Sequence, residues 1–526
     1  MTPPRLAYAA RVSEAERAAA APWWKRGVFY QIYPRSFANT TGSGVGDLAG
    51  VTAHLDHLAW LGVDALWLSP FYPSPMRDFG YDVADHCGVD SRFGTLADFD
   101  ALVAEAHRRG LRVIVDFVPA HTSSDHPWFL EARASRESPR RRWYVWRDPR
   151  PDGAPPNNRT STFTKGAPAW TLDATTGQYY LHSFLPEQPD LDWEHPPVVA
   201  AMHEVLCFWL DRGVDGFRID VVHNIGKDPA LLDVESRLAP IPHSALNDDP
   251  RTHGHLRAIR QLLDGYAGER MAVGEVFLLD TRRVADYYGR GDELHLCFNF
   301  TPLFAPWQAE AWRACIETTA KSFDPVDAWP SWVLSNHDVP RHRTRYGSLA
   351  RARAAAVLLL TLRGTPFLYM GEELGLEDAL VPPERAVDPG GRDGCRAPIP
   401  WRSQASHGWR GEPWLPFPPD AAARSVEAQR GDPASVLHLY RRLLRARRAS
   451  PALADGTQEL LPTPEGVLAW RRRSQGDART IAVNFRAEPA RIEVGGDLAV
   501  EIATDGAGEG TRFDGRLGAD QAVVLR

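Results

Sequence analysis

Gly216-Phe217-Arg218-Ile219-Asp220 is an apolar run of strand length that ends in an acid, with a guanidinium two residues before the carboxylate. Three other runs share the construction: Val113-Ile114-Val115-Asp116, Met271-Ala272-Val273-Gly274-Glu275 and Trp332-Val333-Leu334-Ser335-Asn336-His337-Asp338. A parallel β/α barrel collects the carboxyl ends of its strands around one mouth, and that mouth is where such barrels do chemistry. Several acids meeting there point to carboxylate catalysis on an uncharged substrate.

Outward from these runs, strand-like and helix-like segments alternate from Gly27 to about Ala452. The expected strands are Val28–Tyr33, Ala65–Ser69, Val113–Phe117, Gly216–Asp220, Met271–Val276, Leu296–Phe300, Trp332–Ser335 and Thr365–Met370. Between them lie amphipathic patterns such as Leu48–Leu61, Leu96–Arg109, Pro197–Asp211 and Ala352–Leu362. Arg109-Gly110 before Leu111 shows the joint: a basic last turn, a C-cap glycine, then the next strand. Right-handed crossovers between such units predict an α/β fold, a (β/α)8 TIM barrel. An open doubly wound sheet is disfavoured, because no Gly-rich phosphate loop follows the first strand.

Two stretches interrupt the alternation. Residues 121–195 are rich in Pro, Trp, Arg and Asn and show no helical period, with a strand signal at Gln178–His182. A connection that long predicts a loop-rich subdomain, placed after strand three and overhanging the mouth. Glu377–Pro419 is a second Pro/Gly-rich excursion, after strand eight. From about Gly456 the alternation has period two, with turns between, which predicts a C-terminal β-sandwich. The expected organisation is a first barrel segment over 1–120, the insertion over 121–195, a second barrel segment over 196–454 and the sandwich over 455–526.

Composition narrows the function. The 526 residues carry a formal charge of −7, with 44% hydrophobic and 24% charged residues, as in ordinary globular proteins. No basic stripe interleaved with aromatics appears, so nucleic acid is not expected as a partner. No stretch approaches the ~20 apolar residues a membrane span requires, and residues 1–21 lack a signal-peptide core. The 5 cysteines are scattered, without metal-ligand spacing or a disulfide framework. A cytoplasmic enzyme is the expectation.

Arg218 and Asp220 stand two apart on a strand, so their side chains share a face. The guanidinium should lower the carboxyl's pKa and suit it to nucleophilic attack. Glu275 follows an apolar run and a glycine; partial burial should raise its pKa and suit it to general-acid work. Taken singly, other readings are open. Asp220 is as readable as a salt-bridged barrel acid and Glu275 as the partner of a helix dipole. His337 with Asp338 could cap a loop, and Asp116 with His121 could be a turn network.

The joint pattern resembles the α-amylase-type glycoside hydrolases, in their α-glucosidase and oligo-1,6-glucosidase branch. The resemblance spans Trp23 to about Leu525. It rests on Tyr30-Gln31-Ile32-Tyr33-Pro34-Arg35-Ser36-Phe37, Gly80-Tyr81-Asp82-Val83-Ala84-Asp85 and Gln188-Pro189-Asp190-Leu191-Asp192-Trp193, together with the acid-ended runs and Gly371-Glu372-Glu373. It implies Asp220 as nucleophile, Glu275 as general acid/base and Asp338 as the carboxylate holding the sugar's 2- and 3-hydroxyls. It implies His121 and His337 against the same glucose, Arg218 orienting the nucleophile, and Asp116 in an architectural place. Asp82 with Arg392 resembles the pair that grips the 4-hydroxyl of a terminal glucose, Arg396 being the other candidate. The implied reaction is retaining hydrolysis of short oligosaccharides by double displacement, with no cofactor. A transglycosidase or isomerase of the trehalose synthase or sucrose isomerase type is the alternative. A transporter subunit on the same barrel is disfavoured by the intact acids.

Three departures from the family pattern carry expectations. The loop Asn39–Asp47, where relatives often bind calcium, keeps a carboxylate only at Asp47, so weak or no metal binding is expected. Ala120 replaces the Asn usual before His121, so the strand-three loop must be held by other bonds. Asp192 replaces an Asn. Val221, after the nucleophile, resembles the α-1,6-cleaving members; a single small side chain shifts such discrimination by ~1–3 kcal/mol. Trp143, Trp146 and Trp170 are candidate stacking platforms for sugar rings, beside the commoner role of Trp in a barrel this size, which is packing.

Overall fold

A register of inward-facing side chains organises the molecule. In this computed structural model, which describes residues 21–163, 166–233 and 248–526, eight parallel strands form one sheet. They are β1 (Phe29–Ile32), β2 (Ala65–Leu68), β3 (Arg112–Phe117), β4 (Gly216–Ile219), β5 (Met271–Gly274), β6 (Leu296–Cys297), β7 (Ser331–Val333) and β8 (Thr365–Tyr369). The expectations for residues 1–20 lie outside the described residues. The order is β7-β8-β1-β2-β3-β4-β5-β6, a barrel open only between β6 and β7. Strand six is shorter than expected, ending at Cys297 rather than Phe300. There Ser331 Oγ bridges the gap, donating to Cys297 O at 2.8 Å and accepting from Asn299 N at 3.2 Å.

Alternation along each strand separates two cores. Phe29, Trp67, Ile114, Met271, Val273, Val333 and Phe367 form a cluster of their own, to which the strand residues Tyr30, Leu66, Val113, Val115, Phe217 and Leu368 do not belong. The second set packs with helix residues such as Leu58, Leu102, Leu206 and Leu359. The first set therefore fills the barrel. Two residues further along, its register turns polar: Ile114 leads to Asp116, Val273 to Glu275 and Phe29 to Gln31. Asp116 pairs with Arg218 and Arg218 with Val273, two residues before Glu275, so the three polar side chains follow one another around the rim.

The helices follow their local signals. Leu96–Arg108 begins with a capping box between Thr95 and Asp98. The expected helix Leu48–Leu61 is two, broken at His54.

The insertion is more regular than its sequence suggests. It contains an eight-residue helix, Pro127–Ala134, started by Pro127, and a three-stranded sheet of Trp146–Arg147, Gln178–Leu181 and Trp170–Asp173. Its tryptophans are occupied: Trp146 stacks on Phe129 and under Arg141, Trp143 lies against Arg140, and Trp170 donates to Asn157 Oδ1. The sugar-platform expectation for these three gives way to packing: Trp146 and Trp170 are buried, and Trp143 is half-buried against Arg140 and Trp128.

From Thr457 the chain forms antiparallel sheets. Five strands run in the order Thr457–Leu461, Val467–Ser474, Asp477–Asn484, Ala522–Leu525 and Val500–Ala503, and Ala490–Arg491 pairs with Arg516–Leu517. One face of the larger sheet (Val467, Ala469, Ala482, Val523, Leu525) packs with Leu517 and Ala490 of the smaller. The other face (Leu468, Trp470, Ile481, Val483, Val524) joins the core of the barrel's outer layer.

Candidate active site

The polar layer above the barrel core is built on one guanidinium. Arg218 Nη1 donates to Asp220 Oδ1 at 2.6 Å and to Asp116 Oδ1 at 2.5 Å, and Nη2 donates to Glu275 Oε2. Its side chain is 3% exposed. Burial opposes its charge, but Asp116, Glu275, Tyr81 and Asp220 hold it protonated. Asp116 is pinned from the other side by Trp67 Nε1 at 2.8 Å. Burial pushes Asp116 up to about 6, against Arg218 and Trp67.

Two backbone features aim Glu275. Gly274 leaves room that a side chain would fill, since a Cβ there would stand 2.4 Å from Leu294 Cδ1. Val221 adopts a left-handed conformation at φ 33° and ψ 48°, a strained state for a β-branched residue. That turn points Val221 N at Glu275 Oε2, 3.1 Å away.

The expected lowering of the Asp220 pKa by Arg218 is corrected. Burial raises it well above the usual carboxylate range; Arg218 opposes this, while Glu275 and Asp116 add to it. Three carboxylates, Asp116, Asp220 and Glu275, thus share one cation.

A cavity of about 340 Å³ opens over this layer, at the low end of the range for small-molecule sites. Asp220, Glu275, Asp338, His121, His337 and Arg392 all line it. His337 receives the Gln31 amide at Nδ1 (2.8 Å), and its Nε2 lies 2.7 Å from Tyr81 OH and 3.2 Å from Asp338 Oδ2. Burial lowers its pKa to about 3, so it is neutral near pH 7. Enclosure disfavours the Asp338 anion, yet His337, Arg392 and Arg396 hold it well below the usual range. His121 Nε2 sits 3.1 Å from both Tyr81 O and Gln188 Nε2.

Asp82 is not where the sequence placed it. Its carboxylate is used by Ser74 Oγ, Arg77 N and Asp78 N at 2.8, 2.8 and 3.0 Å, which fold the loop that carries it. The acid facing Arg392 is Asp78, at 2.6 Å from Nη2, with Gln188 Nε2 on its other oxygen at 3.0 Å. Arg392 also reaches Asp338 at 3.0 Å, and Arg396 Nη2 reaches the same oxygen at 3.2 Å. Both arginines of the Gly391–Arg396 segment thus meet Asp338. The bonds that substitute for the missing Asn at Ala120 are visible too: Leu191 N donates to Ala120 O at 3.0 Å and Trp193 Nε1 to Pro119 O at 2.7 Å.

Sequence reasoning passed over Gln31, Tyr81, Asp78 and Gln188 as members of the site. Gln31 carried a signal, a polar side chain two residues after Phe29 in the barrel-facing register.

A parallel barrel whose strand ends bring three acids and a neutral histidine to the lining of one cavity has the layout of a barrel glycosidase. The chain belongs to the alpha-amylase family: residues 31–456 match the model of the alpha-amylase catalytic domain. It is 43% identical to a probable alpha-glucosidase of Rhizobium meliloti (strain 1021), over 90% of this chain and 91% of that protein. It is 36% identical to an oligo-1,6-glucosidase of Parageobacillus thermoglucosidasius, over 88% and 90%. Among solved structures, an alpha-glucosyl transfer enzyme superposes with a TM-score of 0.89 at 41% identity, covering 96% of this chain and all 100% of the other. The trehalulose synthase of Pseudomonas mesoacidophila MX-45 gives 0.90 at 34% identity, covering 96% and 99%. No helix among the described residues is long and apolar enough to cross a membrane.

Proposed function

We propose that the protein is a retaining, exo-acting α-glucosidase that releases terminal glucose from short oligosaccharides, α-1,6 links preferred. The observation that carries this is the single guanidinium of Arg218 bonded to both Asp220 and Glu275, beneath the cavity that Asp338 lines. Two carboxyls sharing one guanidinium favour the separation of retaining pairs, about 5–5.5 Å, over the wider spacing of inverting ones. Asp220 attacks the anomeric carbon, while Glu275 gives its proton to the glycosidic oxygen as that bond breaks. Water then loses a proton to Glu275 and attacks the same carbon, freeing Asp220 and glucose. Asp338, held anionic, accepts from two sugar hydroxyls and favours the ring shape of the transition state. The Asp78–Arg392 pair walls one side of the cavity and supports recognition of a chain end. Val221 supports the α-1,6 preference.

No resident metal is part of this reading. Asp47 is committed to Gly50 N at 2.6 Å, Thr40 N at 2.8 Å and Thr40 Oγ1 at 3.0 Å, and Asn39 Oδ1 to Gly42 N at 3.0 Å. These bonds leave little oxygen ligation for a cation that takes 6–8 ligands.

The likeness to a glucosyl transfer enzyme and a trehalulose synthase favours a second reading, in which another hydroxyl replaces water. Incubation with isomaltose, maltose and sucrose separates the two. Hydrolysis gives free glucose, α-anomer first by NMR, fastest from isomaltose. A β-anomer refutes retention, a maltose preference refutes the linkage, and isomerised sucrose or longer glucosides establish the second reading. Asp220→Asn should remove most activity toward an aryl α-glucoside with the fold kept; near-wild-type turnover would overturn the mechanism.

A further inference from the structure

Asp388 belongs to none of the barrel strands and does not line the cavity. It lies in the excursion after β8, with its side chain fully buried, 0% exposed. Its Oδ2 accepts from Arg392 N at 2.8 Å and Arg392 Nε at 2.9 Å, and its Oδ1 from Arg392 Nη2 at 2.6 Å and Arg396 Nη1 at 3.2 Å. The segment is itself anchored, because Asp393 Oδ2 accepts from Val387 N and Asp388 N at 2.8 and 3.1 Å. Asp388 therefore occupies the edge of the Arg392 guanidinium that faces away from the site. The nitrogens left for the site are Nη1, on Asp338, and the second hydrogen of Nη2, on Asp78.

We propose that Asp388 is the positioning residue that aims Arg392: it sets the plane of the guanidinium from the side away from the cavity, so that Nη1 and Nη2 are presented to the terminal sugar between Asp338 and Asp78. Bidentate pairing through Nε and Nη2 fixes a guanidinium in two dimensions, as a single contact cannot. The backbone bond from Arg392 N to the same carboxylate removes the remaining freedom of the turn. Charge explains why an acid stands there. Arg392 and Arg396 bring two cations beside one another, and Asp78 and Asp338 alone would have to neutralise both, drawing Asp338 away from a substrate hydroxyl. The proposal rests on the glucosidase reading for the identity of the sugar, but not for the mechanical link between Asp388 and Arg392.

The test is a double-mutant cycle of Asp388→Asn and Arg392→Ala, read as KM and kcat on 4-nitrophenyl α-glucoside and on its 4-deoxy analogue. Asp388→Asn alone should lower kcat/KM on the glucoside about 10-fold or more, chiefly through KM, and should shrink the wild-type preference for the 4-hydroxyl. In the Arg392→Ala background it should change kcat/KM by less than about 2-fold, since no guanidinium remains to aim. Equal losses in both backgrounds would show a merely structural role and overturn the proposal, as would an Asp388→Asn enzyme indistinguishable from wild type. Should the Asn variant not fold, Asp388→Glu replaces it in the same cycle; its longer arm displaces the guanidinium and is read by the same criteria. A wild-type enzyme indifferent to the 4-hydroxyl would refute the terminal-glucose reading alone, leaving the cycle to decide Asp388.

Discussion

Two acids stand four residues apart in Asp78-Phe79-Gly80-Tyr81-Asp82, and replacing each with its amide should separate binding from folding. Asp78 Oδ1 lies 2.6 Å from Arg392 Nη2, with the two side chains 5% and 9% exposed. Asp78→Asn keeps the shape and removes the charge. Arg392 retains Asp388 and Asp338, so the variant escapes the ~3–5 kcal/mol cost of stranding a buried charge, and its melting temperature should move little. The loss falls on substrate. A charge-assisted hydrogen bond contributes ~1.5–3 kcal/mol, which at about 1.4 kcal/mol per decade is about 10- to 150-fold in kcat/KM. Asp82→Asn behaves oppositely. Its carboxylate takes three donors, two of them the amides Arg77 N and Asp78 N. An Asn can accept on one side only, leaving at least one buried N–H unpaired, at a cost of ~1–3 kcal/mol in stability. The assay pairs kcat/KM on an aryl α-glucoside with thermal melts of both variants. An Asp82→Asn enzyme that loses activity at an unchanged melting temperature, beside a near-normal Asp78→Asn enzyme, would refute the reasoning.

Glu372 is buried, and burial raises its pKa from 4.5 to about 8, against the Tyr369 backbone and Arg341. A carboxyl whose folded pKa lies above its unfolded one contributes fully below the unfolded value and loses that contribution as pH rises through the folded value. Glu372→Gln should therefore gain on wild type by about 1.4 kcal/mol per pH unit between pH 4.5 and 8, near 3 kcal/mol at pH 7 before any cost of the unpaired amide. Parallel urea-denaturation curves across that window would contradict it. Ser331→Ala should lower stability by ~1–3 kcal/mol, because Asn299 N loses its acceptor at the barrel seam; an unchanged urea midpoint would refute the bridging role. EDTA should leave the melting temperature unchanged, and a drop of several degrees would reveal a structural cation.

The barrel was legible because its strands repeat one pattern, apolar run then acid, and two-residue alternation carries the barrel-filling face into the polar layer. Asp220, Glu275 and Asp338 came with it. Other features depend on facts that no local pattern carries. Asp78 and Asp82 are equal as residue types; what tells them apart is a turn with φ 47° at Phe79 and 113° at Gly80, which sends one carboxylate to its own loop and the other to Arg392. The Asp220 pKa was misjudged because the neighbouring Arg218 is visible on the strand, whereas the burial that outweighs it is a property of the assembled barrel. Helix Pro127–Ala134 was hidden because it is short and turns its polar side to solvent amid many aromatics.

The larger C-terminal sheet spends one face on the barrel and the other on its smaller companion, and Arg472 reaches across to Thr361 O at 2.7 Å, at the end of the helix that leads into β8. Trp470 is 0% exposed in that contact. The chain is thus poor material for modular engineering. Cutting after residue 455 would strip an oily belt from the enzyme's flank and yield a sticky remnant, so any fused tag or domain belongs beyond the final strand, Ala522–Leu525, and not in its place.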